Sequence, residues 1–158
     1  MNPNPDTERI SSSPSQVENR QQKARPQIVI IEDNPTDVLM LQETLSASNI
    51  DAEVLLLEDG EQALELLARL ETDVLATCPD LILLDINLPR TDGFQVLARL
   101  RKNNRCANVA VIVMTSSAAQ EDRAQAMSLQ AQAYFQKPND YNEFLKLGEL
   151  INVALKRK

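Results

Sequence analysis

The sequence contains no histidine and no tryptophan, and it has only three glycines among its 158 residues. Without histidine the chain cannot carry Ser-His or Cys-His nucleophilic catalysis, a phosphohistidine relay of its own, or a histidine metal ligand. The glycines at positions 60, 93 and 148 do not form the G-x-x-x-x-G-K-[ST] motif, which excludes a P-loop nucleotide enzyme. The chemistry of this chain must therefore rest on other residue types.

Cysteines and long apolar runs are also scarce. Cys78 and Cys106 are far apart and lack a CxxC-like spacing, so we expect two reduced thiols rather than a disulfide or a metal site. No apolar run reaches the roughly 18 residues that a membrane-spanning helix needs. Residues 1–25 also lack the apolar core of a signal peptide. These absences predict a cytoplasmic protein with no membrane partner.

Positive charge is in deficit, since the formal net charge is −7. Residues 1–26 hold three acidic and four basic side chains, so the acidic excess belongs to the rest of the chain. Nucleic acid binding needs a basic surface, which argues against a nucleic acid partner. An acidic body suits a protein that binds a divalent cation or basic partners.

The first 26 residues differ in composition from the remainder. They contain four of the eight prolines, the run Ser11-Ser12-Ser13, and only Ile10 and Val17 as large aliphatic side chains. Such a stretch cannot bury enough apolar surface to offset the loss of conformational entropy on folding. We therefore predict a flexible tail over residues 1–26 and one folded domain over residues 27–158.

Residues 27–158 alternate between short apolar runs and amphipathic segments. Continuous apolar strands that alternate with helices are typical of a parallel sheet covered on both faces. The sequence therefore predicts an α/β fold with five β–α units. The predicted strands span 28–31, 52–57, 81–84, 109–114 and 133–135. The predicted helices span 36–47, 60–70 with Asp59 as its cap, 94–101, 119–129 and 141–155.

Chemically active side chains follow four of the five predicted strands. Glu32 and Asp33 end the first strand, Asp85 ends the third, Thr115 ends the fourth, and Lys137 follows the fifth. Ligands of parallel α/β sheets bind at the carboxyl ends of the strands. Crowded carboxylates repel one another unless a cation lies between them, and a hard divalent ion such as Mg2+ suits oxygen ligands. The pattern indicates a magnesium site next to a hydroxyl and an ammonium group.

Four motifs around these residues resemble the receiver domains of bacterial response regulators. They are IVIIEDNP at 28–35, LILLDINLP at 81–89 with Asp92-Gly93, VIVMTS at 111–116, and YFQKP at 134–138. The stretch CPDLILLDINLPRTD at 78–92 resembles in particular the single-domain regulators that serve cyanobacterial and bacterial phytochrome kinases. The resemblance implies a flavodoxin-like, doubly wound five-stranded parallel sheet in the order 2-1-3-4-5.

The resemblance also implies a mechanism. Asp85 would accept a phosphoryl group from a phosphohistidine of a sensor histidine kinase, and the sub-family resemblance implies a kinase of the phytochrome type. Asp33 and Asp85 would bind Mg2+ directly, Glu32 would bind it through water, and the backbone carbonyl of Asn87 would complete the protein ligands. Lys137 would act as a point charge on a phosphoryl oxygen.

Further roles follow from the same family pattern. The Thr115 hydroxyl and the Ser116 backbone N–H would bind the remaining phosphoryl oxygens. Movement of Thr115 toward the phosphoryl group would let Tyr134 rotate from an exposed to a buried position. The Lys137–Pro138 bond is cis in the family, which aims the ammonium inward. The family also has a glycine after its fourth helix, where this chain has Gln130-Ala131, so we expect a longer or differently turned helix end here.

Two alternatives to an active receiver are a phosphatase and a module that only binds proteins. Haloacid-dehalogenase-like phosphatases need a second aspartate two positions after the nucleophile, and Asn87 stands there. A receiver-like module that only binds proteins would not need Asp33, Asp85, Thr115 and Lys137 together. The resemblance therefore implies a signalling protein whose only catalysis is its own phosphorylation and dephosphorylation. No effector domain is expected after Leu155, so output would pass through protein contacts. The resemblance implies a homodimer through the face of the fourth helix, fifth strand and fifth helix as one such contact.

Overall fold

The structure is a computed structural model, and it describes residues 25–156. The tail predicted over residues 1–26 lies almost entirely outside this range. Within this range five strands alternate with helices, and two helices follow the last strand. The strands are β1 (Gln27–Ile31), β2 (Glu53–Leu57), β3 (Leu81–Asp85), β4 (Ala110–Thr115) and β5 (Ala133–Gln136), and the helices are α1 (Pro35–Ala47), α2 (Gly60–Thr72), α3 (Gly93–Arg101), α4 (Gln120–Ser128), α5 (Tyr141–Phe144) and α6 (Leu147–Lys156).

All strand pairs are parallel, and the sheet order is β2-β1-β3-β4-β5. The predicted fold class and strand order are confirmed. Alternate residues of the central strands point to opposite faces of the sheet, because side chains alternate along a strand. Val29 and Ile82 pack with α2, α3 and α4, whereas Ile30 and Leu83 pack with α1 and the closing helices. The two apolar layers explain why β1, β3 and β4 are continuous apolar runs.

The closing helical segment differs from the single helix predicted over 141–155. It consists of α5 and α6, separated by a tight turn in which Lys146 N–H bonds Glu143 O and Gly148 N–H bonds Leu145 O. The apolar positions of both pieces still face the sheet, and Phe144, Leu147 and Ile151 are buried. Within residues 25–156 no helix is long and apolar enough to cross a membrane.

The two cysteines are bonded to each other, which corrects the expectation of reduced thiols. The Cα atoms of Cys78 and Cys106 are 5.6 Å apart. Cys78 shortly precedes β3 and Cys106 shortly precedes β4, and these strands are neighbours in register from Leu81 opposite Ala110. Because neighbouring parallel strands begin at the same edge of the sheet, residues remote in sequence meet there.

The end of α4 keeps a left-handed turn although no glycine is present. Gln130 adopts φ 64°, Gln130 N–H bonds Met127 O, and Ala131 N–H bonds Ala126 O. This pair of bonds is the Schellman arrangement that usually employs glycine. The expectation of a longer or differently turned helix end was wrong, since α4 ends at Ser128 and Gln130 takes the glycine conformation.

Two arginines hold the connections at the amino edge of the sheet through backbone carbonyls. Arg101 donates to the carbonyls of Leu129 and Gln130 at the end of α4, and to those of Ala107 and Val109 before β4. A second guanidinium group supports the connection between α2 and β3. It belongs to Arg105, which donates to the carbonyls of Leu70, Asp73 and Ala76 at 2.7–2.8 Å.

Candidate functional site

The side chains that follow the strands converge on one rim of the sheet. Glu32, Asp33 and Asp85 present carboxylate oxygens that all lie within 4.8 Å of one another. Glu32 is fully buried and Asp85 is 4% exposed, whereas Asp33 faces solvent. Two buried carboxylates beside a third one repel unless a cation balances them. The cluster therefore has the oxygen donors and the negative charge that a hard divalent cation requires.

Lys137 supplies a fixed positive charge on the inner side of this cluster. Its Nζ lies 2.8 Å from Glu32 Oε1, 2.8 Å from Asp37 Oδ2 and 3.0 Å from Asp85 Oδ2. Burial lowers the pKa of Lys137, but the hydrogen bonds to Asp37 and Glu32 and the charge of Asp85 outweigh burial and raise the pKa above its ordinary value. Lys137 is therefore a permanent ammonium group that aims three N–H donors at three carboxylates.

The Lys137–Pro138 peptide bond is trans, as are all peptide bonds within residues 25–156, which corrects the expected cis bond. The trans backbone still continues the strand pairing, because Lys137 N–H donates to Thr115 O at 2.7 Å. The register of β5 against β4 thus places the lysine at the rim. Its side chain reaches inward to the three carboxylates from that position.

Glu32 is held as part of the cluster rather than as a solvated acid. Burial is the largest influence on its pKa, and together with the charge of Asp85 it outweighs the Lys137 hydrogen bond and raises the pKa to about 7. Its second oxygen, Oε2, accepts the Asn34 backbone N–H at 3.1 Å. The side chain of Asp33 makes no hydrogen bond or ion pair with any other residue of the described range. The cluster thus carries an excess of negative charge that a bound cation would balance.

The loop after β3 is built closely around Asp85. Asp85 Oδ1 accepts the Asn87 N–H at 2.9 Å, and Gly93 N–H donates to Ile86 O at 3.1 Å. A Cβ atom on Gly93 would lie 2.5 Å from Ile86 Cα, so α3 can begin this close to the loop only with glycine. The loop thereby fixes the carboxylate of Asp85 at the mouth of the site.

Thr115 is fully buried and joins the Asp85 loop to the β4 end. The Asn87 side-chain amide donates to Thr115 Oγ1 at 2.8 Å, and the Ser117 N–H donates to the same oxygen at 3.0 Å. Ser116 lies between Thr115 and Ser117 in the sequence, and it is exposed. The Asn87 side chain therefore links the Thr115 hydroxyl directly to the loop that carries Asp85.

Tyr134 is buried, at 9% exposure, and its hydroxyl donates to Ser117 O at 3.2 Å. The guanidinium carbon of Arg123 lies 4.6 Å from the centre of its ring, within cation–π distance. Burial raises the pKa of the Tyr134 phenol, and the charge of Asp122 adds to that effect. The tyrosine thus lies in the buried position that the resemblance implies for the phosphorylated protein.

The structure brings Glu32, Asp33, Asp85 and Lys137 together as the sequence predicted, with Thr115 beside them. Sequence reasoning missed Asp37, whose carboxylate is one of the three partners of Lys137. The available signal was its position in the first turn of α1, four residues after Asp33. It also missed the contact of the Asn87 side chain with Thr115, because that contact joins the loop after β3 to the end of β4.

Comparison with known proteins adds an independent finding. The family model of the response regulator receiver domain matches residues 28–148. Response regulator Rcp1 of Synechocystis is 33% identical over 120 residues, which cover 76% of this chain and 82% of Rcp1.

Solved structures with the same fold include three proteins of this kind. The phosphorylated cyanobacterial phytochrome response regulator RcpA superposes with a TM-score of 0.72 at 31% identity, over 82% of this chain and 92% of RcpA. The Mn2+-bound form of Rcp1 gives 0.71 at 32% identity, over 80% and 91%. A receiver domain of the sensor histidine kinase PA1611 from Pseudomonas aeruginosa, with magnesium in its active-site cleft, gives 0.61 at 27%, over 80% and 96%.

Proposed function

The chain belongs to the response regulator receiver domain family, and we propose that Asp85 is the residue that accepts its phosphoryl group. Receiver domains act in two-component signalling and are phosphorylated by sensor histidine kinases. The observation that carries the proposal is the position of Asp85, with one oxygen 3.0 Å from Lys137 Nζ and its carboxylate beside Glu32 and Asp33. An ionised carboxylate in such a setting is a competent nucleophile toward phosphorus.

In the proposed reaction an Asp85 oxygen attacks the phosphorus of a kinase phosphohistidine. The new O–P bond forms as the N–P bond breaks, and the imidazole leaves with the electron pair of that bond. Lys137 moves one N–H donor from Asp85 to a phosphoryl oxygen. The Thr115 hydroxyl and the Ser116 backbone N–H bind the other oxygens, which positions the group and stabilises its charge.

The acidic cluster fits Mg2+, because its donors are carboxylate oxygens and Asp33 has no cationic partner among the described residues. Asp33 and Asp85 would bind the ion directly, the Asn87 carbonyl would add a backbone ligand, and Glu32 would act through water. When bound, Mg2+ would supply positive charge against the phosphoryl oxygens. The Mn2+ in Rcp1 and the magnesium in the PA1611 receiver support a divalent cation at this rim.

Thr115 and Tyr134 form the proposed switch. A phosphoryl group on Asp85 would draw the Thr115 hydroxyl away from Asn87, and the space that it leaves favours Tyr134 in the inward position. The inward ring already has two contacts, to Ser117 O and to Arg123. Such a pair biases an equilibrium between two surface shapes rather than driving a chemical step.

The partner proposal rests on the relatives. We propose a sensor histidine kinase of the phytochrome type, because RcpA and Rcp1 are among the most similar structures. Output would pass through the face of α4, β5 and the closing helices, as a contact with a second copy or with another protein. In α4 Ala126 is the one buried residue and Met127 is half exposed, so this helix has surface to offer. We place the protein in the cytoplasm, with residues 27–158 as the receiver unit.

The proposal is tested by intact mass spectrometry after incubation with Mg2+ and acetyl phosphate. Wild-type protein should gain one phosphoryl group, and both EDTA and Asp85→Asn should abolish the gain. Asp51→Asn is the matched control, because Asp51 is exposed and pairs with Arg25 away from the site. Loss of the adduct in the control, or an adduct that persists in Asp85→Asn, would remove Asp85 as the acceptor. No adduct in any protein would favour a binding module without phosphorylation.

A further inference from the structure

We infer that Asp37 is a positioning residue for the Lys137 ammonium. Asp37 keeps its hydrogen bond to Lys137 while Glu32 and Asp85, the other two partners of Lys137, change their contacts. The inference rests on the proposed function, since it concerns how Lys137 serves Asp85. Asp37 Oδ2 lies 2.8 Å from Nζ, as close as Glu32 and closer than Asp85. No motif of the sequence singled it out.

Asp37 differs from the other partners of Lys137 by its position. Glu32 and Asp85 belong to the group of three carboxylates that can hold a cation, and Asp37 does not. A cation would therefore draw on Glu32 and Asp85, and phosphorylation would change Asp85 itself. Asp37 is the partner that neither event engages, so it can keep its hydrogen bond to Nζ throughout.

The first turn of α1 holds Asp37 in place. Asn34 caps the helix, and its side-chain oxygen accepts the N–H groups of Thr36 at 2.9 Å and Asp37 at 3.3 Å. The amino end of a helix favours a negative side chain, so the carboxylate is also stabilised electrostatically. The anchor therefore stands on a capped helix rather than on a mobile loop.

The contact is not an exposed ion pair of the kind that contributes little. The side chain of Lys137 is 9% exposed and that of Asp37 is 22% exposed. Partly buried pairs are screened less than surface pairs, so the attraction persists in salt. An ammonium group has three N–H donors, and all three have a carboxylate here. Without Asp37, Nζ would be held only by groups that the metal and the phosphoryl group also need.

The N–H donors of Lys137 therefore have different roles during phosphorylation. With Asp37 in place, Lys137 can pass one donor from Asp85 to the phosphoryl oxygen while another donor keeps the chain in position. Without it, Lys137 must be reoriented at each phosphorylation, so the rate of phosphorylation should fall. Binding of Mg2+ should change little, because Asp37 lies outside the carboxylate group that holds the cation.

The test compares initial phosphorylation rates with saturating Mg2+ and acetyl phosphate, measured by intact mass. Asp37→Asn should lower the rate about tenfold, the effect of losing one charged hydrogen bond. Asp37→Glu should recover part of the rate. The Mg2+ dissociation constant should change by about threefold or less. Glu61→Gln, in the first turn of α2 and exposed, is the matched control.

A double-mutant comparison separates positioning from general disturbance. Lys137→Gln alone should slow phosphorylation, and in that background Asp37→Asn should cause no further loss of rate. An equal loss in both backgrounds, or no loss in the wild-type background, would overturn the inference. Asp37→Ser serves as a second variant if Asp37→Asn does not fold, as judged by circular dichroism. Wild-type protein without a phosphoryl adduct would instead overturn the proposed function itself.

Discussion

Replacement of Gln130 by glycine should stabilise the protein. Gln130 holds φ 64°, a left-handed conformation that costs a residue with a Cβ atom about 1–2 kcal/mol. Glycine removes that cost but loses more conformational entropy on folding, about 0.5–1 kcal/mol. The strain relief is the larger quantity, so the free energy of unfolding should rise by about 0.5–1 kcal/mol.

The other contacts of Gln130 do not oppose this gain in stability. The Gln130 side chain is exposed, and its backbone bonds to Met127 and Arg101 survive in glycine. The expected rise in Tm is about 2–4 °C for a domain of this size. Urea unfolding followed by far-UV circular dichroism measures the change, and it is preferred to intrinsic fluorescence because the chain has no tryptophan.

Gln125→Gly in the middle of α4 provides the control of opposite sign. It is exposed and helical, so glycine there should destabilise by about 1 kcal/mol. If Gln130→Gly destabilised the protein to the same extent as Gln125→Gly, the reasoning from left-handed strain would be refuted. Phosphorylation of Asp85 should be unchanged in Gln130→Gly, because the turn at Gln130 is held by Arg101 at the amino edge of the sheet, away from the strand ends that carry Asp85.

Replacing Cys78 and Cys106 by serine should lower the free energy of unfolding by about 3–4 kcal/mol under non-reducing conditions. The reason is that the disulfide closes a loop of 28 positions and so reduces the entropy of the unfolded chain. A loss below about 1 kcal/mol would contradict this disulfide. Addition of Mg2+ and beryllium fluoride, a phosphoryl mimic, should alter the NMR environment of the Tyr134 ring through Thr115, and an unchanged ring would contradict the switch.

The fold was predictable because its information is local and periodic. Apolar runs such as Leu81 to Leu84 are long enough to be read as strands and are bounded by turn residues. A parallel sheet then aligns every strand end on one rim, so Asp85 and Lys137 could be placed near each other without knowledge of coordinates. The order of the strands needed the resemblance as well, since periodicity does not specify it.

The features that were not predicted from the sequence have a different physical origin from the pattern of strands and helices. The Cys78–Cys106 bond joins the amino ends of neighbouring strands, and sequence spacing alone gives no measure of that proximity. Asp37 was missed because a residue on a helix turn contacts Lys137 across the sheet rim. The turn at Gln130 was misjudged because context held a glutamine in a conformation that glycine would prefer. In each case tertiary contacts outweighed the local rule.

The guanidinium groups of Arg101 and Arg105 have a consequence for how the chain can vary. They hold loops by donating to backbone carbonyls, and every residue type supplies a carbonyl. Val74 and Leu75, in the connection between α2 and β3, are 81% and 88% exposed, so their side chains contribute little to the path of that connection. Substitutions at these two positions should leave the backbone conformation of the connection unchanged. The reason is that Arg105, in another part of the sequence, holds this backbone through its hydrogen bonds to carbonyls.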